Sequence, residues 1–271
     1  MLSILNNISS LQAENSLNTT QMSLNSTLQQ LSTGQRINSG ADDPAGLAIA
    51  NGLEANVTAL TQSVQNATDG VGMLQVADGA LSQITTLLNQ AVTVATESAS
   101  GTVSSAQRVS LDNEFQSIKS EISTIGSSTT YNGQAVFGTS LTVFMSDSSS
   151  AGTSSVGVAM VTVSAATLTI SGDDLTTAGN ATVALGDINT AIAAVAALRG
   201  NLGASSNQLQ AATNVMNNQI TNVQSAESGI MDADIGVTTA NLSKFTILQQ
   251  TGIAALQQSN QMQQGVLKLL Q

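Results

Sequence analysis

Residues 188–216 read INTAIAAVAALRGNLGASSNQLQAATNVM, and their apolar anchors Ile188, Val195, Leu202, Leu209 and Met216 recur every seven residues, continuing to Val223 and Ile230. A strict seven-residue interval keeps one stripe of an α-helix turned toward a packing partner. The spacing therefore predicts a helix of roughly 40 residues, about 60 Å long. A second seam lies upstream: Leu53, Val57, Leu60, Val64, Ala67, Val71 and Leu74 alternate steps of four and three, and Leu81, Leu88 and Ala95 continue the interval. It stops in the turn-like stretch 96–105 and resumes at Leu111, Phe115, Ile118, Ile122 and Ile125, which reads as two antiparallel helices joined by a short loop.

Working outward, the two ends of the chain carry weaker stripes. Ile4, Ile8 and Leu11 fit one helical register, whereas Leu17, Leu24, Leu28 and Leu31 fit another. The far end offers Leu242, Phe245, Leu256, Leu267 and Leu270, with Gln249, Gly252 and Gln263 at intervening seam positions. Charge is nearly absent from both ends: Glu14 is alone in the first 35 residues, and only Lys244 and Lys268 occur in 235–271. Asn, Gln, Ser and Thr occupy the positions that Lys and Glu usually fill. Such surfaces suit contact with other helices, copies of the same chain above all. In isolation these helices bury too little to offset an ordering cost of about 1–2 kcal/mol per residue, and they are expected to be mobile before assembly.

Between about 138 and 183 the pattern becomes β-like, with expected strand pieces at 141–145, 156–163 and 167–170, and the Ser-rich stretch 147–155 reads as an exposed loop. The fold class expected is mainly α: long antiparallel helices forming a terminal coiled coil and a helical bundle, with a small β-hairpin insertion.

Composition excludes much. Charged residues are 8% of the 271, against about 25% in an average soluble protein. The net charge is −11, and the six Lys and Arg form no basic patch, so nucleic acid is not an expected partner. With no His and no Cys, the usual zinc sites, imidazole relays, thiol nucleophiles and disulfides are unavailable. Neither a cleaved signal peptide nor membrane insertion is expected, because MLSILNN lacks a basic region followed by a long apolar one and no unbroken run reaches 18 apolar residues.

The acidic clusters read as structural. Asp42-Asp43-Pro44 is an N-cap signature ahead of a Pro at the first helical position, with cation binding the functional alternative. Asp232-Ala-Asp234 lacks the glycine placement and closing Glu of a calcium loop. Asp173-Asp174 reads as a solvated turn. Glu114 and Glu121 share a helix face, which suits solvent or a neighbouring subunit better than glycoside chemistry. No Ser-x-x-Lys precedes Lys119, Lys244 or Lys268, and Met22, Met73, Met160, Met216, Met231 and Met262 read as packing. No catalytic residue, cofactor or metal is expected, and the chain does not read as an enzyme.

Residues 28–51, LQQLSTGQRINSGADDPAGLAIAN, resemble the amino-terminal signature of bacterial flagellins, and 247–271 resemble their closing segment. Further likeness lies in NATDGVGMLQ (66–75), EFQSIKSEI (114–122), YNGQAVF (131–137) and LRGNLGA (198–204). The resemblance covers about 1–140 and 184–271. It implies a filament subunit exported through the flagellar channel and polymerised beneath a cap, with an export chaperone and junction proteins as further partners and the extracellular flagellar filament as its location. It also implies an inner-tube domain of 1–43 with 232–271 and an outer-tube bundle of 44–140 with 184–231. A β-rich insertion of 141–183 would attach to that bundle, giving a minimal two-domain form. Ile4, Ile8, Leu11, Leu17, Leu24, Leu28, Leu31, Leu242, Phe245, Leu256, Leu267 and Leu270 are then the expected self-assembly residues. Where the family's innate-receptor contact has an Arg this chain has Gln90, while Glu114 matches the acidic contact, so weak receptor activation is expected. A hook-filament junction protein of the same family, and a secreted coiled-coil effector or binding module, stand as alternatives.

Overall fold

A computed structural model describes residues 7–146 and 154–269. Its elements are α1 (Ile8–Thr33), α2 (Pro44–Ala99), α3 (Ser105–Ser128), β1 (Thr130–Tyr131), β2 (Gln134–Ala135), β3 (Ser140–Met145), β4 (Ser154–Ala159), α4 (Ala178–Met231) and α5 (Ile235–Leu269). The chain is mainly α, and its strands form two small antiparallel pairs, β1 with β2 and β3 with β4. Contacts group it into two units, one of 1–55 with 222–271 and one of 56–221. The expected boundaries at 43 and 232 coincide with helix starts and ends, whereas contacts draw α2 up to 55 and α4 from 222 in with the terminal helices.

In the unit of 56–221 the seven-residue stripes are the core. Ile188, Val195, Leu202, Leu209 and Met216 of α4, Leu60, Ala67, Leu74, Leu81 and Leu88 of α2, and Phe115, Ile118 and Ile122 of α3 are all buried. The α2–α3 turn ends in a capping box, in which Ser104 Oγ accepts from Gln107 N while the Gln107 side chain accepts from Ser104 N. A forked pair joins α4 to α2, with Arg199 Nε 2.7 Å from Asp78 Oδ1 and Nη2 3.1 Å from Oδ2. At a half-exposed site such a pair contributes little. By length and composition α4 includes a stretch apolar enough to cross a membrane, but its stripe is committed to this core.

The β region differs from expectation in four ways, the first being that β4 stops at Ala159, so 160–163 of the strand expected over 156–163 are irregular. Asn132 and Gly133, with φ of 49° and 77°, close the β1–β2 hairpin, a turn that Asn-Gly favours because both central residues must take positive φ. That hairpin was not read from the sequence. Residues 167–170 are turn and not strand, because Ser164 and Thr167 exchange side-chain-to-backbone hydrogen bonds and Ile170 N donates to Ala165 O. Helix α4 starts at Ala178, so 178–183 are helical and the β-rich part is narrower than 141–183. Its central pair keeps the expected alternation, with Val143, Met145, Val156 and Val158 buried and Thr142, Phe144, Ser155 and Gly157 exposed. Ser63 Oγ, which both donates to Ser146 O and accepts from Ser146 N at 3.0 Å, fixes β3 to α2.

Candidate self-assembly surface

The unit of 1–55 and 222–271 is built on an antiparallel pairing of α1 with α5. Its start is organised by caps. Asp43 Oδ1 accepts from Ala45 N and Gly46 N at 3.1 and 2.9 Å, capping α2 with Pro44 first in the helix. Asp42 Oδ2 accepts from Asn38 N, Ser39 N and Ser39 Oγ, and those bonds, Asn38's foremost, hold its carboxyl below its ordinary pKa. Asp234 caps α5 through Val237 N at 3.1 Å, and Asp232 accepts from Ser228 Oγ. Asp43 and Asp234 are thus engaged as helix caps, while Asp42 ties the preceding loop and Asp232 the end of α4; no group of three metal-ligating side chains exists among the described residues. Where α1 ends in Gly34, at φ 73°, the chain crosses the end of α4: Arg36 N donates to Met231 O, Ala233 N to Gly34 O, and Arg36 Nη2 to Ile230 O at 2.7 Å.

Along the α1–α5 seam, side-chain hydrogen bonds are interspersed with apolar residues. Gln249 Nε2 donates to Gln21 Oε1 at 2.6 Å, Ser259 Oγ to Asn7 Oδ1 at 3.1 Å, Asn7 Nδ2 to Gln263 Oε1 at 3.1 Å, and Ser10 Oγ to Asn260 Oδ1 at 3.3 Å. Gly252 admits Leu17, whose Cδ1 would lie 3.3 Å from a Cβ there. The amino-terminal registers divide between faces, except that Leu28 of the second register lies with the outward residues. Leu24 is buried and Leu17 and Leu31 half-buried, facing the seam with half-buried Leu242, Phe245 and Leu256. Ile8 (68% exposed), Leu11 (63%) and, unpredicted, Met22 (65%) point outward, as does Leu28 in part. On α5 the outward apolar residues are Ile235, Val237, Ile247, Leu248, Ile253 and Met262. Ile4, Leu270 and the Leu267 side chain lie outside the described residues.

Gln90 and Glu114, on α2 and α3, are both exposed, and Gln90 Nε2 donates to Glu114 Oε1 at 3.0 Å. Sequence reading missed a polar cluster nearby in the chain. Lys119 is buried, its Nζ donates to Ser171 O and Asp173 O at 3.1 and 2.7 Å, and it stands 5.0 Å over the Phe115 ring. Desolvation pulls its pKa down against the attraction of Asp173, Asp112 and Asp174. Asp173 is not the solvated turn expected: it is half-buried beside Asp187, and burial first, then that neighbouring carboxylate, push its pKa up. Its Oδ2 is buried without a hydrogen-bond partner among the described residues.

The fold thus defines a mainly helical protein whose helices near the two chain ends pair with each other and leave nearly uncharged outer faces on which several large apolar residues are exposed. The model of the bacterial flagellin N-terminal helical region matches residues 4–142, and that of the C-terminal helical region matches 185–270. The chain belongs to the bacterial flagellin family. It is 48% identical over 89 residues to a flagellin of Bordetella bronchiseptica (32% of this chain, 23% of that one). It is also 45% identical over 87 residues to the B-type flagellin of Pseudomonas aeruginosa (32% and 18%), and 46% over 82 residues to flagellin E of Vibrio cholerae (30% and 22%). The matched stretches span less than a quarter of those relatives. The crystal structure of Bacillus cereus flagellin matches the fold with a TM-score of 0.50 at 24% identity, covering 56% of this chain and 88% of that one.

Proposed function

We propose that this chain is a structural subunit that self-assembles into the helical filament of the bacterial flagellum and serves motility. The observation that carries the reading is the α1–α5 pair: its inner seam mixes leucines with hydrogen-bonded polar residues, and its outer surface is almost free of charge and exposes Ile8, Leu11, Met22, Ile247 and Met262. A pair built this way gains little from its own contact and much from being covered, since each fully buried Leu or Ile contributes about 1.5–3 kcal/mol. Family membership supports the same reading, as it supports a structural and not an enzymatic role. Ile8, Leu11 and Leu28 then serve contacts between copies, while Leu17, Leu24, Leu31, Leu242, Phe245 and Leu256 hold the pair that presents them; Ile4, Leu267 and Leu270 are proposed self-assembly residues as well. The flagellar export apparatus, an export chaperone, the cap and the junction proteins are its proposed partners, and the extracellular filament its location. Gln90, held by Glu114, lacks the fixed charge of an Arg, which supports weak engagement of an innate receptor. The reading is tested by deleting residues 240–271 and offering native filament fragments as seeds. The truncated chain is expected to stay in the supernatant; truncated chains that sediment as filaments refute it.

A further inference from the structure

Two outward stripes on the terminal helix pair carry one charge each. On α1, Leu11, Glu14, Asn18 and Met22 follow at steps of three, four and four, and all are exposed. On α5, Val237, Lys244, Leu248, Ala255 and Met262 follow at steps of seven, four, seven and seven, and all are exposed. Such steps place each set on one side of its helix. Glu14 is the only charged residue of α1, and α5 has only Lys244 and Lys268. Neither Glu14 nor Lys244 forms an ion pair with another described residue.

Within one chain the two charges do not meet. Gly252 faces Leu17 and Gln249 bonds Gln21, so Glu14 lies level with a point about eleven or twelve residues along α5 from Lys244, roughly 17 Å at ~1.5 Å per residue. We propose that Glu14 of one copy pairs with Lys244 of a second copy, set off by roughly that distance along the helix pair. The inference rests on the filament reading and gives it a specific contact.

The apolar positions support this register. When antiparallel α1 and α5 are set with Glu14 opposite Lys244, Leu11, three residues before Glu14, comes level with Ile247, three after Lys244, and beside Leu248. Met22, eight residues after Glu14, comes within one residue, about 1.5 Å, of Val237, seven before Lys244. The one acid and one base thus coincide in the alignment that also matches apolar to apolar. A lone carboxylate or ammonium taken out of water in a packed interface is strongly unfavourable, and pairing removes that penalty while fixing the register. Because Glu14 of each copy reaches a second chain and its Lys244 a third, the contact is head-to-tail and propagates as an open assembly.

The test is seeded growth of the full chain, with the critical concentration read from sedimentation and folding checked by circular dichroism. Glu14→Lys and Lys244→Glu are each expected to raise the critical concentration at least tenfold, and the double reversal to return it to within threefold of native. Native growth with undiminished growth of both single variants, or a double variant no better than the worse single one, overturns the pairing and leaves the filament reading standing. A native chain that does not extend its seeds overturns both. The chain contains no Cys, so Glu14→Cys combined with Lys244→Cys, treated with a short bismaleimide in grown filaments, gives a second readout. A ladder of covalent oligomers is expected, and its absence overturns the pairing.

Discussion

Gly126→Ala isolates close packing between α3 and the segment that follows β4. A Cβ built on Gly126 runs into the carbonyl oxygen of Val163, with the carbonyl carbon at 2.8 Å and the Val163 Cβ at 3.5 Å. The obstacle is backbone, and no side chain can rotate away to relieve it. Forcing a methyl group into such a contact costs about 1–3 kcal/mol or more. Against this stands the gain of about 0.5–1 kcal/mol from replacing Gly by Ala inside a helix. The net expectation is a loss of about 1–2 kcal/mol, a fall in melting temperature of roughly 2–8 °C for a unit of this size. The contrast is Gly203→Ala on α4, where a new Cβ meets nothing within 4 Å and the helix term acts alone, raising stability by about 0.5–1 kcal/mol. Urea unfolding of the monomer, followed by circular dichroism and by the single Tyr131, measures both. The same substitution should change sign between two helix interiors. If Gly126→Ala gains stability as Gly203→Ala does, the claimed backbone contact is wrong.

Asp173→Asn should stabilise the fold at neutral pH, where a native carboxyl whose pKa is raised by burial and by Asp187 opposes folding in its ionised form. That group favours the native state below its ordinary value of 3.8, and this contribution disappears as pH rises through its raised native value, so the advantage of Asn shrinks toward zero on acidification; a urea-midpoint series against pH checks the slope. Lys119→Met leaves Ser171 O without its donor and Asp173 O with Gln116 Nε2 alone, and is expected to cost about 1–3 kcal/mol in the same unfolding assay, despite relieving a buried charge. Asp43→Ala removes the cap of α2 and should cost about 1 kcal/mol, while Asp43→Asn, which keeps the accepting oxygen, should cost a few tenths by thermal unfolding.

What the sequence made legible follows from how each feature is encoded. Seven-residue stripes survive translation into structure because burial of one helix face depends on spacing alone, and Ile188 to Met216 needed nothing else. The polar seam was equally visible, since Gln249, Gly252 and Gln263 fall at the right intervals even though they are not apolar. The hairpin at Asn132-Gly133 carried a readable turn signal but only two residues of strand on each side, too short for alternation to show. Residues 167–170 misled because Thr, Leu and Ile favour strands, while the Ser164 and Thr167 hydroxyls stabilise a competing turn. Asp173 was beyond reach: its burial arises from Lys119 and Asp187, brought to it from elsewhere in the chain.

The same logic explains why two registers coexist at the amino terminus. Leu17, Leu24 and Leu31 are covered by α5, whereas Ile8, Leu11, Met22 and in part Leu28 stay exposed among the described residues. A helix meant for solvent would place Lys or Glu on that second face, and a helix meant for a one-chain core would place its apolar residues on the first. Splitting them gives up intrachain packing and leaves exposed apolar residues that the proposed contact between copies would cover. Polar contacts such as Gln21 with Gln249 then hold the pair in register without making it the favoured end point, because a neutral hydrogen bond that water can replace contributes only about 0.5–1.5 kcal/mol net. On the proposed filament reading, the partly polar seam and the exposed apolar residues are therefore two parts of one arrangement: strengthening the first would not compensate for losing the second.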